Sequence, residues 1–291
     1  MALAHQKGRV RVRHILAAAD ESEGGRAALL AAGGLGRAAG VRVSVLTVIA
    51  PPADEPSRTQ ALERLRAMVR DTLLQVPDAP RVETAVATGL PGIEIGRFAE
   101  LVRADLIVIG RSRGPASEAL SIGDPADSLA RRSPTPCLIV TPQARTFARV
   151  LVALDGSERG MGVLLPAINF ARAAGARLRV VSVEPIHEDE VRAPRLLTAR
   201  SARLLELVNS RRAGLDLGSG GWDEPLREGA AGPVVIRNGA IVDELIREVG
   251  AYEADVLVVG YHRGGPAAIE GGSVARRLVH EAPCTVLTVP L

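Results

Sequence analysis

The sequence predicts an α/β fold made of two repeated open parallel five-stranded sheets flanked by helices. Three observations carry this. First, one kind of stretch occurs twice: Asp105-Leu106-Ile107-Val108-Ile109-Gly110 and Asp255-Val256-Leu257-Val258-Val259-Gly260. Four branched apolar residues in a row read as a strand buried on both faces, as in a parallel sheet under helices. Second, each is followed by a glycine-rich loop and then by an apparent helix start. Third, strand and helix signals alternate through both halves, which implies right-handed βαβ crossovers.

In chain order, Val12 to Glu23 matches Ala148 to Glu158, with Asp20 and Asp155 standing 135 residues apart. Helices follow, ending alike at Ala38-Ala39-Gly40 and Ala173-Ala174-Gly175. Ser22 and Ser157 are the expected N-caps and the glycines the expected residues just past the C-termini. Second strands are Val43–Val48 and Leu178–Val183. Leu62, Leu65, Val69, Leu73 and Val76 then recur at helical spacing, with a partner helix at about 195–212. Third strands run 82–87 and 233–237, and the turns at Gly89 and Gly239 launch the fourth helices. The last strands are Cys137–Val140 and Thr285–Val289. Extra residues of repeat 2, mostly 213–231, read as a glycine-rich surface insertion. The domain limits expected are 1–145 and 146–291.

At 291 residues, two domains of ordinary size are natural. The chain is 47% hydrophobic and 24% charged, with a net charge of +3 and 2% aromatics. So small a net charge and so few stacking rings argue against a nucleic-acid surface. Two cysteines form no framework or metal pattern, and the N-terminus lacks a signal core, so a reducing, cytoplasmic setting is expected. The longest weakly polar run, Ala27–Gly36, is far short of the roughly 18 residues of a membrane span.

In open α/β sheets ligands bind beyond the carboxyl ends of the strands, which brings Asp20 or Asp155 beside its own glycine loop. Backbone amides in such loops hold phosphate. Other motifs were weighed. Gly110-Arg111-Ser112-Arg113-Gly114 fits the serine-hydrolase elbow, making Ser112 a candidate nucleophile. Against it, repeat 2 has His262 at the equivalent place and no His-Gly-Gly motif lies upstream. Gly34-Leu35-Gly36-Arg37-Ala38-Ala39 fits a dinucleotide fingerprint but ends a helix instead of opening one. Asp155 reads equally as a ligand group or as a turn former.

The ordered set Asp155-Gly156-Ser157-Glu158, Asn238-Gly239, Val256–Gly260, Gly272–Arg277 and Ala282-Pro283-Cys284 resembles the universal stress protein family, in tandem over nearly the whole chain. The resemblance implies a Rossmann-like, adenine nucleotide alpha hydrolase-like fold. It implies a non-enzymatic stress-response protein that binds ATP or AMP, with Mg2+ if ATP. It points to Asp155, Val183, Gly260, Gly264, Gly272, Ser273 and Val274 in repeat 2, and to Asp20, Val48, Gly110, Gly114 and Gly123 as weaker equivalents in repeat 1. Both repeats depart from the family's Gly-x2-Gly-x9-Gly-Ser/Thr pattern. In repeat 2 Arg263 replaces the second glycine, and in repeat 1 Asp124 replaces the hydroxyl residue. A carboxylate there would repel phosphate, so repeat 2 is the expected site. The second reading is a tandem interaction module without nucleotide. The last strands are unpaired apolar edges, which predicts their antiparallel pairing within one chain as a pseudo-dimer, with any further homodimer using helical faces.

Overall fold

A computed structural model describes residues 12–111, 125–144, 147–185, 203–204, 206–208, 234–261 and 272–291. The strands are β1 (His14–Ala18), β2 (Arg42–Ile49), β3 (Val82–Thr88), β4 (Leu106–Gly110), β5 (Cys137–Val140), β6 (Arg149–Ala153), β7 (Arg177–Glu184), β8 (Val234–Asn238), β9 (Val256–Tyr261) and β10 (Thr285–Pro290). The helices are α1 (Glu23–Ala39), α2 (Glu55–Leu73), α3 (Pro91–Leu101), α4 (Pro125–Arg132), α5 (Leu164–Ala174), α6 (Ile241–Tyr252) and α7 (Gly272–Glu281).

The two expected five-stranded sheets are one sheet of ten strands, ordered β3-β2-β1-β4-β5-β10-β9-β6-β7-β8. Every pairing within a half is parallel, and β5 pairs with β10 antiparallel. In that pairing Leu138 faces Leu287, its own counterpart in the repeat, while Cys137 faces Thr288 and Ile139 faces Val286. The pseudo-two-fold axis therefore passes through the Leu138–Leu287 pair. The carboxyl edges of the two halves consequently point in opposite directions.

Alternate residues of each strand feed two cores, one on each face. Ile15, Val108, Leu138, Val152, Val258 and Leu287 join the first, beneath α1, α2 and α5. Leu16, Ile107, Ile139, Leu151, Leu257 and Val286 join the second, beneath α3, α4, α6 and α7. Both cores run unbroken across the repeats. Each fully buried Leu or Ile in them contributes roughly 1.5–3 kcal/mol.

Local chemistry repeats as well. The Asp105 carboxylate accepts from Arg13 N and His14 N at 2.8 and 3.1 Å, and that of Asp255 from Ala148 N and Arg149 N at 2.8 Å. Each aspartate thus ties the start of its strand to the first strand of its own repeat. Gly40 and Gly175 take the left-handed conformation that ends α1 and α5, as expected.

Two expectations shift. Val76 lies in the turns beyond α2, which ends at Leu73. Ser22 caps α1, its hydroxyl accepting from Gly25 N at 3.0 Å. The Ser157 hydroxyl instead accepts from Gly160 N at 2.8 Å. Gly160 is the first residue of a 3₁₀ turn, Gly160–Val163, whose N-cap is Arg159, and α5 begins only at Leu164. The two repeats differ at the residue before the capped glycine. At Gly24 an added Cβ would lie 3.2 Å from Arg111 O, so α1 can rest its backbone against β4. Arg159 stands at the equivalent place, exposed to solvent, and a 3₁₀ turn follows it.

Ile139 and Leu287 are essentially unexposed. Ile139→Lys or Leu287→Lys should therefore lower stability by about 3 kcal/mol or more in urea unfolding, because the ammonium would be buried unpaired. Unchanged stability, with loss only of a chain-to-chain dimer in sedimentation, would contradict this pairing.

Candidate functional site

A cavity of about 230 Å³ opens at the carboxyl edge of the repeat 2 strands. Asp155 follows β6, Val183 lies near the end of β7, Gly260 lies in β9, and Val274 comes from the first turn of α7; all four line it. These are four of the residues expected from sequence. The remaining wall is largely apolar: Leu154, Val163, Ile241, Leu245, Val259, Ala275 and Leu291.

The Asp155 carboxylate oxygen Oδ1 accepts from Ser157 N at 2.9 Å and from its hydroxyl at 2.8 Å. The same hydroxyl oxygen accepts from Gly160 N at 2.8 Å. Asp155 is exposed and lines the cavity, and its carboxylate shapes the turn, the second of the two roles read from its sequence position. A Cβ at position 160 would overlap the Asp155 carboxylate, which is why glycine stands there.

Repeat 1 carries the same device. Asp20 Oδ1 accepts from Ser22 N at 3.1 Å and from the Ser22 hydroxyl. Its cavity is smaller, about 150 Å³, and is lined by Asp20, Val48 and Gly110 together with Gly24, Arg111 and Pro125. The expected site residues Gly114, Gly123 and Gly264 lie outside the described residues, as do Ser112, Asp124, His262 and Arg263. Gly272 and Ser273 open α7.

The two cavities differ most around the strand-end glycine. Over Gly110 lies the α1 backbone itself: an added Cβ would be 2.6 Å from Gly24 Cα. Over Gly260 lie side chains: an added Cβ would be 2.5 Å from Leu291 Cδ1 and 2.9 Å from Val163 Cγ2. One wall is backbone and cannot yield; the other ends in rotatable groups.

The residue after each of these glycines crosses the pseudo-axis. Arg111 donates from Nη1 to Ala282 O at 2.7 Å and from Nη2 to Cys284 O at 2.9 Å. Burial holds its pKa below the usual arginine value, with Cys284 opposing. Its counterpart Tyr261 is buried. Burial, then the Asp127 carboxylate of the other repeat, raise its pKa. Asp127 is itself buried, 2.9 Å from Arg131 of its own helix and 3.6 Å from Arg276 of the other repeat. Sequence reading placed Arg111 in a phosphate loop. It could not find partners more than 170 residues away.

Sequence reading also missed Ile241, Leu245 and Leu291. The helix launched after Gly239 was legible, but which of its faces closes the cavity was not. Both cysteines are free and buried; burial raises Cys137 to about 12 and Cys284 to about 11. Among the described residues, no cluster of His, Cys, Asp and Glu could hold a metal ion, and no helix is long and apolar enough to cross a membrane.

The contrast between the two walls is testable by thermal unfolding. Gly110→Ala should cost about 3 kcal/mol, the upper range for overpacking, and Gly260→Ala about 1 kcal/mol. Equal costs would refute the distinction. Arg111→Met should cost about 2 kcal/mol, because it strips two carbonyls at the interface of their donor; an unchanged melting temperature would show that the clamp contributes nothing.

Comparison with known proteins bears on the fold and the family. The family model described as Universal stress protein family matches twice, over residues 11–141 and 146–290. No curated protein matches. Among solved structures, a universal stress protein from Archaeoglobus fulgidus DSM 4304 is 19% identical, with a TM-score of 0.68, covering 96% of this chain and 97% of that one. A functionally unknown protein from Pseudomonas aeruginosa PAO1 is 20% identical, with a TM-score of 0.67, covering 96% of this chain and 92% of that one. At such identity these likenesses speak for the fold, whereas the double family match covers nearly all of the sequence: the chain belongs to the universal stress protein family, as a tandem of two of its domains.

Proposed function

We propose that the second repeat binds an adenine nucleotide, ATP or AMP, and that the protein serves in stress response by binding, without catalysing turnover. One observation carries this reading: a single cavity gathers Asp155, Val183, Gly260 and Val274 from four separate elements. Val183, Ile241 and Leu245 offer an apolar slot suited to a flat heterocycle. The Asp155 carboxylate is an acceptor for sugar hydroxyls. If ATP is the ligand, Mg2+ would accompany it.

The first repeat, residues 1–145, acts in this proposal as the structural half, and residues 146–291 as the binding half. Its cavity is smaller, Arg111 is committed to the other repeat, and Asp124 follows its last loop glycine. The proposed setting is the cytoplasm, with no nucleic-acid or membrane partner. Any homodimer would form through helical faces, since the β5–β10 pairing leaves neither last strand unpaired.

The test is to measure adenine nucleotide retained by the purified protein, by absorbance and mass spectrometry, and then to titrate AMP calorimetrically. Val183→Arg should weaken binding by about a hundredfold and Asp155→Ala by about tenfold, on the scale of a blocked pocket and one lost hydrogen-bond acceptor. Asp20→Ala should leave affinity unchanged. Tight binding that survives Val183→Arg and disappears in Asp20→Ala would reassign the site to repeat 1.

A further inference from the structure

We infer that Leu291 is a specificity-determining residue of the repeat 2 cavity, favouring an adenine nucleoside over its triphosphate. The inference rests on the nucleotide reading of this cavity and narrows the ligand it takes.

Leu291 follows β10, and its backbone is fixed: Leu291 N donates to Tyr261 O at 2.9 Å. Its side chain spans two walls. Cδ1 covers Gly260, standing 2.5 Å from where a Cβ there would lie. Cδ2 reaches the 3₁₀ turn, 3.5 Å from the corresponding point at Gly162. Val163 completes the cover from the same turn. The ground above Gly260 is thus hydrocarbon.

A phosphate chain leaving the cavity in that direction would lose water against methyl groups that offer no hydrogen bond, which is costly for an anion. No described side chain lining the cavity is cationic, and Asp155 is an anion at the same mouth. A ring and a sugar meet neither obstacle. Repeat 1 shows what differs: there the helix backbone at Gly24 lies over Gly110, so no side chain can be trimmed to open the same path.

The experiment is calorimetric titration of the full chain and of Leu291→Ala with adenosine, AMP and MgATP. The unsubstituted protein should bind adenosine at least about tenfold more tightly than MgATP. Leu291→Ala should raise MgATP affinity about tenfold and change adenosine affinity less than about threefold, the scale of a few methyl groups in a pocket. Leu291→Met, which keeps the bulk, should retain the original preference. If Leu291→Ala does not fold, as judged by its melting curve, Leu291→Val should give a smaller shift in the same direction. Adenosine binding with an unchanged adenosine-to-ATP ratio in the trimmed variant would overturn the role of Leu291 and leave the nucleotide reading standing. Equal affinity for adenosine and ATP in the unsubstituted protein would do the same. Failure of any adenine compound to bind either protein would overturn the nucleotide reading and this inference with it.

Discussion

The antiparallel pairing of β5 with β10 is the constraint on which the rest depends. It takes the apolar edge of each half, an exposed template for association, and buries it against the other. The pairing is short, with three residue pairs in register, but it carries side chains of both cores, so neither face of the sheet is interrupted. Because the two strands run oppositely, the carboxyl edge of one half lies beside the amino edge of the other. The two cavities are therefore held on opposite edges of one sheet, and each strand-end glycine sits near the partner repeat.

That placement explains the polar contacts about the axis. Arg111, at the carboxyl end of β4, meets the turn that feeds the amino end of β10, where carbonyls are without strand partners. Tyr261, its counterpart, is an apolar body in a field of Asp127, Arg131 and Arg276. An arginine and a tyrosine in equivalent positions make the interface unsymmetrical. Removing one partner from such a contact leaves buried polar groups unpaired.

The same residue pair by pair comparison accounts for the unequal cavities. Gly24 lets helix α1 lie on β4; at the equivalent place repeat 2 has Arg159. A 3₁₀ turn then takes the place of the first helical turn, and Val163 and Leu291 fill the space between. At the outer edge of repeat 2, Glu248 is buried and held by Arg237 and, at 3.5 Å, by Arg179, whose guanidinium lies 4.1 Å over the Tyr252 ring. These contacts join α6, which supplies Ile241 and Leu245 to the cavity, to β7 and β8. The cavity wall is thus anchored from outside by charge and from inside by the core.

The sequence by itself determined the elements, the duplication and the turn chemistry, because these are encoded locally. Four-residue apolar runs ending in glycine, serine caps two residues after an aspartate, and glycines past helix ends act through neighbours a few positions away. They need no knowledge of the rest of the chain. Strand order, which carries strand ends to one edge, was enough to bring Asp155 beside its glycine loop; Val183, Gly260 and Val274 were named through the family resemblance. Tertiary structure decided what depends on residues distant in sequence. It merged two sheets into one, turned Arg111 away from a loop and onto Ala282 and Cys284, delayed the start of α5, and set Leu291 over Gly260. Each of these is a choice between packings of similar local propensity, and only the shape of the space left by the other elements distinguishes them.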